Sequence, residues 1–302
     1  MSPMPDFAKL VRHWVLHPLE ALLVYALFGL FGLMSIDRAS AIGAWIGRTL
    51  GPRLPVTARA QRNLRIAFPD KSDAEIDAIV AGMWDHLGRV AAEYPHLPHI
   101  VIGGRDRRVI VHGTDVIDLV RDDGKPAVCF SAHLGNWELA SMVATWRNLP
   151  LTRVYRAANN RFVDRLVRHS RRAISGTLVP KGSSGAREAL ATLNGKGHVA
   201  LLVDQKLNDG IAVPFFGRDA MTAPAVAQLA LKFDCPVIPV RVERLEGARF
   251  LVTVYPPLVM PRTGDRPADI RAGMARINQV LEGWICERPE QWLWLHRRWP
   301  ES

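Results

Sequence analysis

Apolar and polar residues along the chain follow two different patterns, which meet near residue 108. Before that point the spacing is helical. The segment SDAE, from Ser72 to Glu75, is a capping box and predicts a helix that continues to about Tyr94. An earlier helix is predicted to start after Thr57 and to end before Pro69. The first hundred residues are therefore expected to be helical.

From about Arg108, short runs rich in β-branched residues alternate with helical stretches. This order predicts an α/β fold with a mixed, mainly parallel sheet flanked by helices. A last helix is expected from about Ala268 to Glu287. The other helices are expected to start near Thr114, Asn136, Asn159, Ser184 and Pro224. The predicted strands are RVIVH, PAVCFSA, LTRVY, HVALLVD, PVIPVRVER and RFLVTVY.

An apolar run without charge extends from Ala21 to Ile36 near the N terminus. As a helix it would span about 24 Å, less than the roughly 30 Å hydrocarbon core of a bilayer. Trp14 and Val15 extend its apolar side upstream. A membrane anchor is the favoured interpretation, and a helix lying in the membrane interface or buried in the core is the alternative. A cleaved signal peptide is disfavoured by the charges of Glu20 and Asp37.

Composition adds a domain division and a charge argument. The chain has 302 residues, contains no repeat or long linker, and is 48% hydrophobic. We therefore predict an N-terminal membrane-anchoring helical segment, residues 1–50, followed by one domain over residues 51–302. The formal net charge of +10 indicates an anionic partner, either nucleic acid, an anionic membrane surface or an acidic protein.

Several common site chemistries have no motif in the sequence. The three cysteines are far apart and form no CxxC pair, so neither a zinc knuckle nor a disulfide framework is indicated. The sequence contains no Walker A loop, no GxGxxG and no HExxH. No cofactor and no metal ion are therefore predicted.

The candidate chemistry lies in CFSAHLGNWELA, Cys129 to Ala140, where an apolar strand ends in His133. Ligand sites of α/β sheets gather at the carboxyl ends of strands. Glu138 follows five residues later, and from the first turn of the next helix it can fold back to the imidazole. A carboxylate on one ring nitrogen leaves the other nitrogen free as a base. A capping histidine at an ordinary strand-to-helix turn is the alternative.

HLGNWE is similar to the H-x4-D/E motif of glycerolipid and lysophospholipid acyltransferases. Nearly the whole chain resembles the lipid A biosynthesis (lauroyl/myristoyl) acyltransferases of Gram-negative bacteria. The segments that carry this resemblance occur in the family's order: RNLRIAFPD, VYRAANN, VDQK followed by VPFFGRDAMTAP, and PEQWLWLHRRW.

The resemblance implies a membrane-bound enzyme at the cytoplasmic face of the cell inner membrane. Such an enzyme moves a fatty acyl chain from an acyl carrier protein thioester, or acyl-CoA, to a hydroxyl of a lipid A precursor or related glycolipid. His133 would take the proton of that hydroxyl, and Glu138 would orient His133.

Residues at other strand ends are candidates for substrate binding. Arg156 follows the strand LTRVY, matches an arginine of the family, and has a guanidinium suited to phosphate. Lys181 precedes a predicted helix N terminus, while Asp204 and Gln205 close the strand HVALLVD. Phe215, Phe216 and Gly217 belong to PFFG, which either lines an acyl tunnel or forms a core aromatic pair.

Two clusters suggest surfaces, each with a structural alternative. The first is an arginine stripe that suits anionic lipid or an acidic carrier protein, or is a solvated helix face: Arg161, Arg165, Arg168 and Arg172. The second suits a membrane interface, or is buried against the last helix: Trp292, Trp294 and Trp299.

Two other functions remain as alternatives to an enzyme. A nucleic-acid-binding protein is disfavoured because the arginines come without a recognisable module. A catalytically silent basic membrane adaptor is disfavoured by the presence of both His133 and Glu138.

Overall fold

The computed structural model describes residues 16–103 and 108–299, and its N-terminal part is a pair of helices. Helix α1 is His17–Gly32 and helix α2 is Ile36–Leu50. The side chain of Ser35 caps α2, and the helix that carries the apolar run Ala21–Ile36 ends at Gly32. Within the described ranges, no helix is both long and apolar enough to cross a membrane, and the predicted anchor has no support as a spanning segment. Trp14 and Val15 lie outside the described residues.

Helix α1 is not a core helix either. Leu19, Leu22, Leu23 and Leu33 on and just after it are each 59–88% exposed. Burying a leucine side chain contributes roughly 1.5–3 kcal/mol, so several exposed leucines side by side are unfavourable in water. The surface of α1 is therefore suited to an apolar surrounding.

Helix α2 packs tightly against the longest helix of the N-terminal half. The capping box at Ser72 begins α4, Asp73–Glu93, as predicted, and α3 is Thr57–Ala67. A Cβ added to Gly43 of α2 would lie 2.3 Å from the carbonyl oxygen of Gly88, so the close approach of the two helices requires glycine there.

Nine strands follow in the described part of the chain, in two sheets. They are β1 Val109–His112, β2 Ala127–Ser131, β3 Leu151–Tyr155, β4 Leu178–Pro180, β5 His198–Leu202, β6 Lys206–Phe215, β7 Arg218–Thr222, β8 Val237–Arg244 and β9 Phe250–Val254. Seven form one sheet in the order β1-β9-β8-β2-β5-β3-β4, and β6 with β7 forms a separate antiparallel hairpin. In the main sheet only β8 and β9 are antiparallel neighbours.

Helices cover both faces of the main sheet. They are α5 Thr114–Asp122, α6 Glu138–Trp146, α7 Arg161–Ser170, α8 Ser183–Asn194, α9 Ala225–Phe233 and α10 Arg266–Glu287. Cys129 of β2 packs in a core with α5 and α6, while its neighbour Phe130 packs in a second core with α8, α9 and α10. The predicted mixed, mainly parallel sheet flanked by helices is thus confirmed.

The six strands predicted from the sequence are all present, and each helix predicted from Thr57 onward begins within two residues of its expected start. Strand β4 and the β6–β7 hairpin were not predicted. Strands β2 and β5 are parallel neighbours, with Ser131 opposite Leu202. Because their carboxyl ends meet at the same edge, the residues after them, His133 and Asp204, are brought together.

Candidate active site

Two hydrogen bonds join His133 and Asp204 at the edge of the sheet. The backbone N–H of His133 donates to Asp204 Oδ2 at 2.9 Å, and His133 Nδ1 lies 2.9 Å from Oδ1. Trp292 Nε1 also donates to Oδ2, at 2.8 Å. Asp204 is fully buried, and each of its carboxylate oxygens accepts at least one hydrogen bond.

These contacts determine the tautomer of His133. Burial opposes ionisation of Asp204, but the charge that His133 carries when protonated, together with its hydrogen bonds, holds the pKa of Asp204 well below the usual value. The ionised carboxylate can only accept, so His133 Nδ1 carries the proton that it donates. In the neutral imidazole Nε2 then has a free lone pair, as a general base requires.

The turn that carries His133 has a fixed shape. Gly135 has a φ of +56°, and a Cβ there would lie 2.4 Å from the carbonyl oxygen of Val242. Asn136 is fully buried and donates to Glu93 Oε2 at 2.9 Å. The Gly135 carbonyl oxygen lies 3.0 Å from His86 Nε2. The LGN of the motif is therefore needed for backbone geometry and anchoring.

A buried ion pair between Arg244 and Glu93 supports this turn. Arg244 donates to both oxygens of Glu93, at 2.5 and 2.9 Å, and its Nε donates to His86 Nδ1 at 3.2 Å. Burial, with the nearby Arg244 charge, lowers the pKa of His86 to about 3. His86 is therefore neutral, accepts from Arg244 at Nδ1 and donates to Gly135 at Nε2.

The structure corrects the predicted contact between Glu138 and His133. Glu138 begins α6 and accepts from Tyr94 Oη at 2.8 Å and from Arg171 at 2.9 and 2.5 Å. Burial alone would raise the pKa of Glu138, but Arg171 and Tyr94 hold it below its usual value. Among the described residues, no hydrogen bond joins Glu138 to His133. The motif's carboxylate points toward Arg171, and Asp204 supplies the contact to the imidazole.

His133 borders a cavity of about 1000 Å³. Side chains from both faces of the sheet line it, because Cys129 and Phe130, adjacent on β2, point to opposite faces and both contribute. On the α5–α6 side Glu138 and Ser141 line the cavity together with six apolar residues: Val116, Ile117, Val120, Val143, Leu149 and Val254. Arg153 lies beside it, 8% exposed, with its Nε buried and without a hydrogen-bond partner.

A family profile described as bacterial lipid A biosynthesis acyltransferase matches residues 4–301. The chain belongs to that family. It is 24% identical over 303 residues to the lipid A biosynthesis myristoyltransferase of Escherichia coli (strain K12), covering 97% of this chain and 90% of that protein.

Two further relatives are similar over slightly less of the chain. The E. coli lipid A biosynthesis lauroyltransferase is 28% identical over 248 residues, which are 78% of this chain and 76% of that protein. A lipid A biosynthesis acyltransferase of Haemophilus influenzae is 21% identical over 258 residues, covering 84% and 78%. The protein is an acyltransferase, and the family membership predicted from its motifs is confirmed.

Three predicted binding residues of the acyltransferase line the same cavity as His133: Arg156, Lys181 and Gln205. Arg156 is exposed and donates to Asn159 Oδ1 at 3.4 Å. Lys181 is exposed just before α8, whose cap is Gly182, without a side-chain capping bond.

Phe215, Phe216 and Gly217 lie elsewhere. Phe215 is fully buried, and its ring stacks on Trp299 at a centroid distance of 5.6 Å. Phe216 and Gly217 form the two-residue turn between β6 and β7. None of these three residues is among the described residues that line the cavity. Phe215 and Phe216 therefore fit the alternative, a core aromatic pair.

The two predicted surface clusters have different outcomes. Trp292, Trp294 and Trp299 are each at most 2% exposed, so the buried alternative is correct. The four arginines of the stripe are all exposed, three on α7 and Arg172 just beyond it.

His296, which sequence reasoning did not single out, lies beside His133. Its Nε2 lies 3.3 Å from Gln205 Nε2, and the His133 and His296 ring centroids are 5.1 Å apart. His296 lies in PEQWLWLHRRW, one of the segments that carry the family resemblance. His133, Asp204 and His296 offer ligand atoms within 4.8 Å of one another. Both Asp204 oxygens already accept hydrogen bonds, so the cluster is satisfied as a hydrogen-bonded network and no metal is assigned to it.

Proposed function

We propose that this acyltransferase moves a fatty acyl chain from an acyl carrier protein thioester to a hydroxyl of a lipid A precursor. In this proposal His133 is the general base, and Asp204, rather than Glu138, orients it. The observation that carries the proposal is the Nδ1–Oδ1 contact of 2.9 Å, which leaves Nε2 of the neutral imidazole unprotonated beside the cavity.

The chemistry needs no covalent enzyme intermediate, because the thioester is already activated. His133 Nε2 takes the proton of the accepting hydroxyl as its oxygen attacks the thioester carbonyl carbon. The ester C–O bond forms, the C–S bond breaks, and the proton passes from His133 to the departing thiolate. General base catalysis of this kind contributes roughly 10²–10⁴-fold.

The apolar side of the cavity, between the sheet and α5 and α6, is suited to the acyl chain of the donor. Val116, Val120 and Val254 line this side of the cavity, which His133 also lines. Burial of each methylene contributes about 0.8 kcal/mol. This cavity replaces PFFG as the proposed acyl-binding region.

Arg156 and Lys181 supply positive charge at the opening of the cavity. A guanidinium binds phosphate with a fork of donors, and an ammonium binds it as a point charge. We assign both to a phosphorylated acceptor. The exposed arginine stripe on α7 is assigned to the acidic surface of a carrier protein, with acyl-CoA as the alternative donor.

The apolar surface of α1 supports docking on an anionic membrane, at the cytoplasmic face of the inner membrane where we propose that the enzyme acts. Helix α1 contacts α7: Asn160, the cap of α7, donates to the carbonyl oxygen of His17 at 2.8 Å, and Tyr25 Oη donates to that of Phe162 at 3.2 Å. Docking through α1 would place α7 near the lipid surface. Interfacial binding needs no spanning helix.

The test is a matrix of donors and acceptors with the purified full-length protein. Carrier protein and CoA thioesters are combined with a lipid A precursor, a different glycolipid and a lysophospholipid, and product masses are recorded. The proposal expects acylated lipid A precursor with the carrier protein donor. Transfer to another acceptor would redirect the assignment, and no product from any pair would favour a silent membrane adaptor.

A further inference from the structure

The proton-accepting nitrogen of His133 is already occupied by a protein group. Gln205 Nε2 lies 3.3 Å from His133 Nε2 and 3.3 Å from His296 Nε2. Gln205 follows Asp204 at the end of β5, whereas His296 comes from the C-terminal tail. Two imidazoles from distant parts of the chain therefore share one side-chain amide.

The hydrogen-bonding roles of these three groups determine how the amide is turned. His133 carries its proton on Nδ1, so its Nε2 is a lone pair that accepts an N–H of Gln205. The second N–H of that nitrogen points in another direction and can bond His296 Nε2. If the amide were reversed, its oxygen would face the lone pair of His133 Nε2. His133 therefore sets the orientation that presents N–H groups to the site, and an acceptor at His296 Nε2 holds the second N–H in place.

The charges around His296 are consistent with its accepting role. Burial first, and then the neighbouring His133, lowers the pKa of His296 to about 4. The charges of Arg298 and Arg156 also lower the pKa of His296, and the charge of Asp204 raises it. His296 is therefore neutral near pH 7, so one of its ring nitrogens has a lone pair, and a hydrogen bond from the Gln205 amide requires that nitrogen to be Nε2.

The position between His133 Nε2 and the Gln205 amide suits one kind of ligand group. At 3.3 Å the Gln205–His133 contact is longer than most N–H hydrogen bonds, so the amide is a weak occupant. A hydroxyl group both donates and accepts, so it can donate to His133 Nε2 and accept from the Gln205 amide. A phosphate dianion or a ketone has no proton for His133, and an ammonium has no lone pair for Gln205.

We propose that Gln205 binds the oxygen of the accepting hydroxyl through its side-chain N–H, and that His296 is the positioning residue that holds the amide in this orientation. This inference rests on the proposed function and assigns the residues that place the attacking oxygen. During attack the hydroxyl proton goes to His133 Nε2, and the Gln205 N–H stabilises the negative charge that builds up on the oxygen. The thiol leaves with that proton, as described above.

The test compares variants that keep the size of the side chain but change its hydrogen bonding. Gln205→Met removes both N–H groups and should lower kcat/KM for the acceptor at least about tenfold, with the KM for the acyl donor unchanged. His296→Ala should lower kcat/KM for the acceptor in the same way, and His296→Asn, which restores an acceptor oxygen, should recover part of it. His99→Asn, a change at an exposed histidine, is the control and should behave as wild type.

A pH profile separates positioning from a structural role. Gln205→Glu places a carboxylate between the two imidazoles and favours protons on both, so the acid limb of kcat/KM should move up by at least about one pH unit. A merely structural role would lower the melting temperature without moving that limb. Near-wild-type kinetics and an unmoved limb in the Gln205 variants would overturn this inference alone. If wild-type protein acylates no hydroxyl acceptor, the proposed function fails, and this inference fails with it.

Discussion

Replacing Asp204 by asparagine removes one charge and reverses one hydrogen bond at the centre of the site. Oδ2 of Asp204 accepts from two donors, the His133 backbone N–H at 2.9 Å and Trp292 Nε1 at 2.8 Å. In Asp204→Asn these donors hold the amide oxygen at the Oδ2 position. The NH2 group must then face His133 Nδ1, which has to become an acceptor.

This change predicts a specific loss of activity. With Nδ1 as acceptor, the proton of the neutral imidazole moves to Nε2, and the general base is lost. We expect acyl transfer to fall about 10²–10⁴-fold, the range that general base catalysis contributes. Thioester hydrolysis should fall in parallel, because water needs the same base. The assay is the initial rate of product formation, measured beside a thermal unfolding curve.

Two matched variants make the outcome decisive. Asp209→Asn makes the same chemical change at an exposed residue of β6 and should leave the transfer rate unchanged. Glu138→Gln leaves Arg171 buried without its carboxylate and should mainly lower stability, by roughly 3–5 kcal/mol. If Asp204→Asn transfers at nearly the wild-type rate, or if folded Glu138→Gln loses more turnover than Asp204→Asn, the reasoning is refuted.

Three further predictions concern stability, acceptor binding and the membrane. The His86 side chain binds a proton below about pH 6.5 in the unfolded chain but only below about pH 3 in the folded protein, so the free energy of unfolding should fall by about 5 kcal/mol as the pH drops between these values. Denaturant titrations should show a smaller fall for His86→Gln. Arg156→Lys keeps the charge but loses the fork, so transfer to a phosphorylated acceptor should fall several-fold while thioester hydrolysis persists; equal loss of both would contradict an acceptor role. Leu22→Asp with Leu23→Asp should weaken flotation with anionic vesicles at least about tenfold, unlike Val259→Asp at another exposed apolar position.

Much of the fold was predictable because its signals are local. The capping box at Ser72, the β-branched strands and the proline and glycine boundaries act over a few residues, and the elements appear where these signals are. Strand β4 has only three residues, too few to show a pattern. The β6–β7 hairpin begins with a bulge between Lys206 and Ile211, which interrupts the alternation expected of a strand.

The site was predictable only in part because its key contact is long-range. His133 and the strand end at Asp204 were both identified, but their pairing depends on β2 and β5 being neighbours, 71 residues apart in sequence. Glu138 is near His133 in sequence, and the start of α6 directs it to Tyr94 and Arg171 instead. His296 belongs to the tail, which is held by the bridge between Leu134 and Trp292, a contact without a local signature.

The central claim is that His133 removes the proton from a lipid hydroxyl during acyl transfer. The most direct measurement is a single-turnover reaction of purified protein with an acyl carrier protein thioester and a lipid A precursor, followed by mass spectrometry. Wild-type protein should convert the precursor to a product heavier by one acyl group. His133→Ala should fold with an unchanged melting temperature and form that product at least about a hundredfold more slowly. Product formation by His133→Ala at nearly the wild-type rate would contradict the account.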